Sequence, residues 1–361
     1  PLHVVFTRSD SLICLRRVHS DVLVEGDSLM ARAVRRSNID PVIASFPVKC
    51  KALDGSSVFE ATSFFVNGAP AMRPHDPYGI NSFGGFLSTT VNYVAGCSLL
   101  SGVEAFADNV SVLSSLSFTL TTRFGGYLIN KDTPYTALAR RSLMLLPREV
   151  MMPRLCDSRI GTVPVAFVKF SDREQEAKAV YYACRWNLKP SDPAAFAAGK
   201  LTTPERPIVF YVDDTFPAGW YDAIRRGLLS WNAAFEKIGY RDAVQVRPYP
   251  RDDASFDPND IKFSCVKYAN TMGESLSSSA RIDPRSGEIL SATICIPHNV
   301  TSRIRTDLFV QLGAADPDAR RVKMSPELFG KALAADVARH TGACLGLAVN
   351  YAGSYCVPVD S

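Results

Sequence analysis

The strongest constraint in the sequence is a short apolar run that leads directly into an amphipathic helix. Pro207-Ile208-Val209-Phe210-Tyr211-Val212 has the length and the β-branched and aromatic content of a buried strand. Beyond it, Trp220, Ile224, Leu228, Trp231, Phe235 and Ile238 recur at three- and four-residue steps, which puts them on one helix face. Pro217 suits the first turn and Gly239 the position just past the end. Strands are expected at Ala243 to Arg247 and Ile261 to Tyr268. A hairpin is expected from Arg281 to Ile296, around Asp283-Pro284-Arg285-Ser286-Gly287. A second helix starts at Ser325-Pro326-Glu327, with Ser as cap and Pro in the first helical position. It runs to about Leu345, where Gly346 can stop it.

Residues 1 to about 200 read as β-rich. Ser115-Leu116-Ser117-Phe118-Thr119-Leu120 alternates polar and apolar, the mark of a strand with one buried face. Val163 to Phe170 and Val58 to Val66 carry strand-type residues. One helix is expected near Asp27 to Arg36. Asn67 to Phe86 is dense in Gly, Pro, Asn and Asp and reads as a long loop. Lys189 to Pro207 holds Pro190, Pro193, Pro204 and Pro207 and reads as a linker, with a helical turn at Ala194 to Ala198. The expectation is an α+β chain. A β-rich domain spans 1–200, and a mixed sheet with two long helices spans 201–361.

Composition excludes several classes. The 361 residues are 47% apolar and 21% charged, which is ordinary globular usage and enough for two domains. The net charge of +4 is small for this length, and the densest basic runs are pairs such as Arg16-Arg17 and Arg320-Arg321. Those read as solvated surface, so no nucleic-acid partner is expected. No apolar run reaches the ~18–20 residues of a membrane helix. The chain opens at Pro1 and reads as a mature or trimmed product, and a leader removed earlier would leave no trace. Nine cysteines without a CxxC argue against a zinc ribbon, a thioredoxin-type site or a disulfide scaffold. Most read as small buried apolar side chains. There is no GxxxxGK[ST] loop and no GxSxG elbow. Asp213-Asp214 and Asp252-Asp253 read as solvated pairs, and Asp257 to Asp260 lacks the terminal Glu of a calcium loop.

Several segments in order carry a closer likeness. Pro207-Ile-Val-Phe-Tyr-Val-Asp213, Trp231-Asn-Ala-Ala-Phe-Glu-Lys-Ile-Gly-Tyr240, Asp283-Pro-Arg-Ser-Gly-Glu-Ile-Leu290 and Asn350-Tyr-Ala-Gly-Ser354 lie in the second half. Ala61-Thr-Ser-Phe-Phe65, Pro153-Arg-Leu-Cys-Asp-Ser-Arg-Ile-Gly161 and Arg185-Trp186 lie in the first. Together they resemble the large zinc-dependent metalloprotease-like proteins of Bacteroidetes-type bacteria. The order strand, long helix, strands, hairpin, second helix is similar to the upper half of a metzincin protease domain. In that family the second helix carries HExxHxxGxxH, in which three His bind zinc and the Glu is the general base. Family members continue into a lower half with a Met-turn, so the resemblance implies a further segment or another chain.

Placing the family Gly on Gly346 puts the first His position at Arg339, the Glu at His340, the second His at Ala343 and the third at Val349. Ala and Val offer no lone pair, and a protonated Arg repels a cation. The resemblance therefore implies a catalytically inactive homologue, a pseudopeptidase with no cofactor. Two alternatives stay open. Asp336, His340 and Cys344 stand four residues apart and form a candidate shifted metal site. Sliding the alignment by one puts His340, Cys344 and Asn350 on the ligand positions and Thr341 on the Glu, and loses the Gly match. The implied role is protein or peptide binding by strand addition at the hairpin strand, with Arg339 and His340 attracting a peptide carboxylate. The implied location is exported: periplasm or outer membrane and cell surface, with a lipid anchor before Pro1 as one form. Rival readings are an active zinc endopeptidase with other ligands and a structural subunit of an outer-membrane assembly.

Overall fold

The computed structural model describes residues 2–26, 28–67, 87–253, 255–271 and 273–350. The fold is α+β. It divides into two compact units, one formed by Leu2–His19 with Ile39–Leu145 and the other by Ser20–Asn38 with the chain from Leu146 onward.

The first unit is almost wholly strand. β1 (Val4–Ser9) and β2 (Leu12–Arg17) form a hairpin. The chain then lends β3 (Val22–Glu25) and α1 (Ser28–Ser37) to the other unit before returning as β4 (Val42–Lys51) and β5 (Ser57–Phe59). These make an antiparallel sheet in the order β1-β2-β4-β5. The strand expected from 58 to 66 ends early, because α2 (Thr62–Phe65) takes its second half. Phe65 is buried there, and Phe64 stands edge-on to Phe46 at 6.4 Å, so packing of aromatics overrides strand propensity. The loop expected over 67–86 lies outside the described residues beyond Asn67. β6 (Leu87–Tyr93), β7 (Leu99–Ala105) and β9 (Tyr127–Met144) all pair antiparallel with β8 (Asn109–Phe124). β8 contains the expected alternating strand, and Leu116, Phe118 and Leu120 are buried.

The second unit holds the candidate site. β10 (Pro164–Ser171) and β11 (Lys178–Ala183) form a hairpin that β3 joins in parallel. After α3 (Pro193–Ala197) comes β12 (Ile208–Val212), then α4 (Trp220–Leu229) and α5 (Asn232–Lys237). β13 (Val244–Pro248), β14 (Ser264–Ala269), β15 (Ser277–Ile282) and β16 (Ile289–Pro297) follow, then α6 (Val300–Leu312) and α7 (Pro326–Cys344). The sheet order is β13-β12-β14-β16-β15. Its first four strands are parallel and β15 runs antiparallel at the edge. Ile208, Phe210 and Val212 of β12 join Ile294 and Ile296 of β16 in a core that also takes Ile224 and Leu228 of α4 and Leu333 and Val337 of α7.

Three expectations about this unit are corrected. The helix expected over 217–239 is two helices. Ser230 Oγ donates to the Gly227 carbonyl at 2.8 Å. The Asn232 side chain leaves the helix to bond the backbone N–H and C=O of Val244 on β13, at 2.8 and 2.9 Å. As a result Ile238, expected on the buried face, is exposed. No helix was expected between the hairpin and the second long helix, and α6 lies there. Its apolar residues are split between buried Val300 and Ile304 and exposed Phe309, Val310 and Leu312, so it shows no single stripe.

The third correction concerns the boundary expected near 189–207, which does not divide the units. Pro190 bridges Pro204 and Thr202 bridges Tyr240. Upstream, Arg185 N–H donates to Gly287 O at 3.0 Å and Ile289 N–H to Arg185 O at 2.9 Å. Residues 146–188 are thus tied into the larger unit by backbone bonds.

α4 and α7 meet at glycine. A Cβ on Gly227 would stand 2.4 Å from the Ala334 carbonyl oxygen of α7. Gly227→Ala is expected to force the helices apart and cost about 1–3 kcal/mol. Urea unfolding measures this, and an unchanged midpoint would show that the helices separate freely.

Candidate functional site

The candidate site is built on α7 and its exit. Ser325 caps the helix, its Oγ accepting from Leu328 N–H at 3.2 Å. Gly330, Leu333, Val337, Thr341, Gly342 and Cys344 form the buried stripe. Two indoles fix the helix from below: Trp231 Nε1–H donates to Ala338 O at 2.8 Å and Trp186 Nε1–H to Cys344 O at 2.9 Å. The helix stops at Gly346, whose φ is +92°. A Cβ there would lie 2.2 Å from Cys184 O. Only glycine suits both the left-handed turn and the contact. Past the turn, Val163 N–H donates to Gly346 O and Ala348 N–H to Gly161 O, both at 2.8 Å. Segments far apart in sequence, 154–163, 183–186, 287–289 and 344–348, therefore converge on the end of α7.

The sequence-predicted residues divide by face. Arg339, Ala343 and Val349 are exposed. His340 is half-buried between helix and sheet, with Nδ1 3.0 Å from Ser278 Oγ on β15 and Nε2 3.0 Å from Arg339 Nη2. Asp336 is held by Arg339 Nη2 at 3.1 Å and by Arg303 Nη2 of α6. Arg303 escaped sequence reasoning, because it lies on the helix that shows no stripe.

Asp336, His340 and Cys344 do not converge. Each four-residue step turns the helix by about 40°, so Asp336 and Cys344 point about 80° apart. Cys344 falls on the buried stripe, where burial pushes its thiol up to about 12 against the opposing pull of Arg281. Arg281 itself is lowered by burial and donates to Thr293 Oγ1 at 2.9 Å. Among the described residues no three His, Cys, Asp or Glu side chains are grouped to hold a metal ion. The donors do not fit zinc either. Arg339 is a cation, Ala343 and Val349 have no lone pairs, Asp336 is neutralised by two guanidiniums, and Cys344 is a protonated thiol.

The other carboxylate pairs hold loops: Asp213 Oδ2 accepts from Tyr268 N–H at 3.3 Å and Asp214 pairs with Arg251 at 3.0 Å. Asp213 Oδ1 accepts from Thr215 N–H and Oγ1 at 2.9 and 2.7 Å. Asp253 makes the same turn with Ser255.

Two measurements check this geometry. Burial, then the charge of Arg339, lower the His340 pKa from its ordinary value. The unfolded chain therefore takes the proton first, and stability is lost as pH falls through about 6.5. His340→Gln is expected to lose less stability than the unaltered chain between neutral and mildly acid pH. An identical loss would place His340 in solvent. With iodoacetamide at about pH 8, peptide mapping should find exposed Cys50 and Cys97 labelled and Cys344 untouched. Labelling of Cys344 at a comparable rate would mean the end of α7 opens.

A family model described as a domain of unknown function (DUF5117) matches residues 2–191. That description carries no activity. No curated protein and no solved structure matches the chain. The match spans more than half of the 361 residues, and the chain accordingly belongs to the DUF5117 family.

Proposed function

We propose that this chain is a non-catalytic, metzincin-like protein of the bacterial cell envelope that binds an extended protein or peptide segment along β15. The observation that carries the reading is the junction of that edge strand with α7, where Ser278 meets His340 and the charges of Arg339, Asp336 and Arg303 continue from it. Among the described residues β15 pairs only with β16 and stands at the edge of its sheet, which is the position that strand addition uses. Strand addition draws affinity from main-chain hydrogen bonds. The adjoining cluster sets Arg339 and Arg303 against Asp336 and Asp307, and Arg339 is the most exposed of the four, so its charge is the one an approaching carboxylate meets first. Arg339 is 60% exposed and can reach it.

The same residues argue against hydrolysis at this position. No group there can polarise a carbonyl as a bound zinc would, and His340 is engaged by Ser278. Export to the envelope rests on the resemblance of the sequence segments alone.

Isothermal titration with short peptides bearing a free C-terminal carboxylate tests the reading. Arg339→Ala is expected to weaken binding by about tenfold, ~1.4 kcal/mol. A backbone N-methylated peptide should bind more weakly still, since it cannot complete a ladder. Binding that ignores both changes would refute strand addition at β15. Stoichiometric zinc in the purified chain, with chelator-sensitive cleavage of casein, would make it an endopeptidase instead. Co-purification in a fixed ratio with outer-membrane proteins, without peptide binding, would make it a structural subunit.

A further inference from the structure

We propose that a second site, separate from β15, binds a small organic carboxylate with an apolar body. It is a cleft of about 470 Å³ between the start of α4, the α6 helix and the approach to α7. That volume is within the range of small-molecule sites, ~300–1,000 Å³.

The lining has two chemistries. Trp220, Met324 and Phe329 give it an apolar floor, with the Trp220 and Phe329 rings 5.2 Å apart. Arg305 and Lys323 give it two cations, and no acidic residue lines it. Three carboxylates on the flanking segments have partners of their own. Asp307 pairs with Arg303 at 3.3 Å, Asp318 with Arg321 at 2.9 Å and Glu327 with Lys331 at 2.8 Å. Arg305 and Lys323 form no ion pair with a described residue. Two like charges at one cavity repel, and a bound anion removes the repulsion while forming charge-assisted hydrogen bonds. The Arg fork takes a carboxylate through both oxygens, and the Lys adds a point charge. Ser302, also on the lining, adds a hydroxyl donor. An inorganic anion would leave the aromatic floor unused. A neutral apolar ligand would leave the two cations without a counter-charge. A planar or branched apolar group joined to a carboxylate satisfies both.

The site shares no residue with the β15 edge, so each reading can fail alone. The test is isothermal titration of the full chain with 3-phenylpropionate, its neutral amide and acetate. The acid should bind at one site, and the amide and acetate on the order of tenfold more weakly, since each lacks one of the two recognised groups. The Arg305→Gln/Lys323→Gln double variant should lose the preference for acid over amide. Both side chains are exposed, so the fold is expected to survive, and circular dichroism checks it. A dipeptide ending in a free phenylalanine carboxylate distinguishes the sources: tighter binding than the acid assigns a peptide C-terminus, weaker binding a free metabolite. Equal binding of acid and amide, equal binding of acid and acetate, or no binding by the acid would overturn the proposal on the unaltered chain. Retention of the acid preference by the double variant would overturn it as well.

Discussion

The larger unit depends on how closely α7 can approach α4. Gly227 lets the Ala334 carbonyl come to where a side chain would otherwise stand. Gly342 does the same for the Trp231 ring, which would lie 2.7 Å from a Cβ there. Close approach lets Leu333 and Val337 reach the layer formed by Phe210, Val212, Ile224 and Leu228, all essentially without solvent contact. Burying each such side chain is worth about 1.5–3 kcal/mol, so the two glycines act through the packing they permit. The indole bonds from Trp231 and Trp186 then fix where the helix lies along its own axis.

With α7 fixed, the charge pattern follows. The helix turns Cys344 into the core, His340 toward Ser278 on β15, and Arg339 outward. Asp336 falls between two guanidiniums from different helices. Arg303 and Asp336 are both largely shielded, with side chains 22% and 14% exposed. Each keeps a second partner, Arg339 for Asp336 and Asp307 for Arg303, and a shielded pair of this kind adds little net stability. Its physical effect is directional: it ties α6 to α7 and keeps Asp336 from acting as a free acceptor beside the edge strand.

How much of this was legible follows from which forces acted. β12, the β15–β16 hairpin and α7 could be read in advance because period, cap and turn residues all agree there: Ser325 and Pro326 at one end of α7, Gly346 at the other, Gly287 with φ +78° in the hairpin turn. The break between α4 and α5 could not be read. It depends on Asn232 finding the backbone of Val244 on another element, while the three- and four-residue spacing runs on unbroken to Ile238. α6 was invisible because its apolar residues are shared between core and surface. The unit boundary was misplaced for a related reason: residues 154–186 join the larger unit through main-chain hydrogen bonds, which leave no signature in side-chain type. At the site, the sequence located α7 and its residues. The grouping of Asp336, His340 and Cys344 failed because 40° per step adds up over two steps.

Gly346 and the positions around it answer to different constraints. Gly346 is fixed by the fold, since its backbone turn and the Cys184 carbonyl exclude any other side chain whatever the protein does. Arg339, Ala343 and Val349 are exposed, and core packing sets no requirement on them. Position 346 therefore admits only glycine, while the exposed positions around it are not fixed by packing. The strand edge at His340 and the aromatic cleft at Phe329 both lie against the helix that this glycine ends.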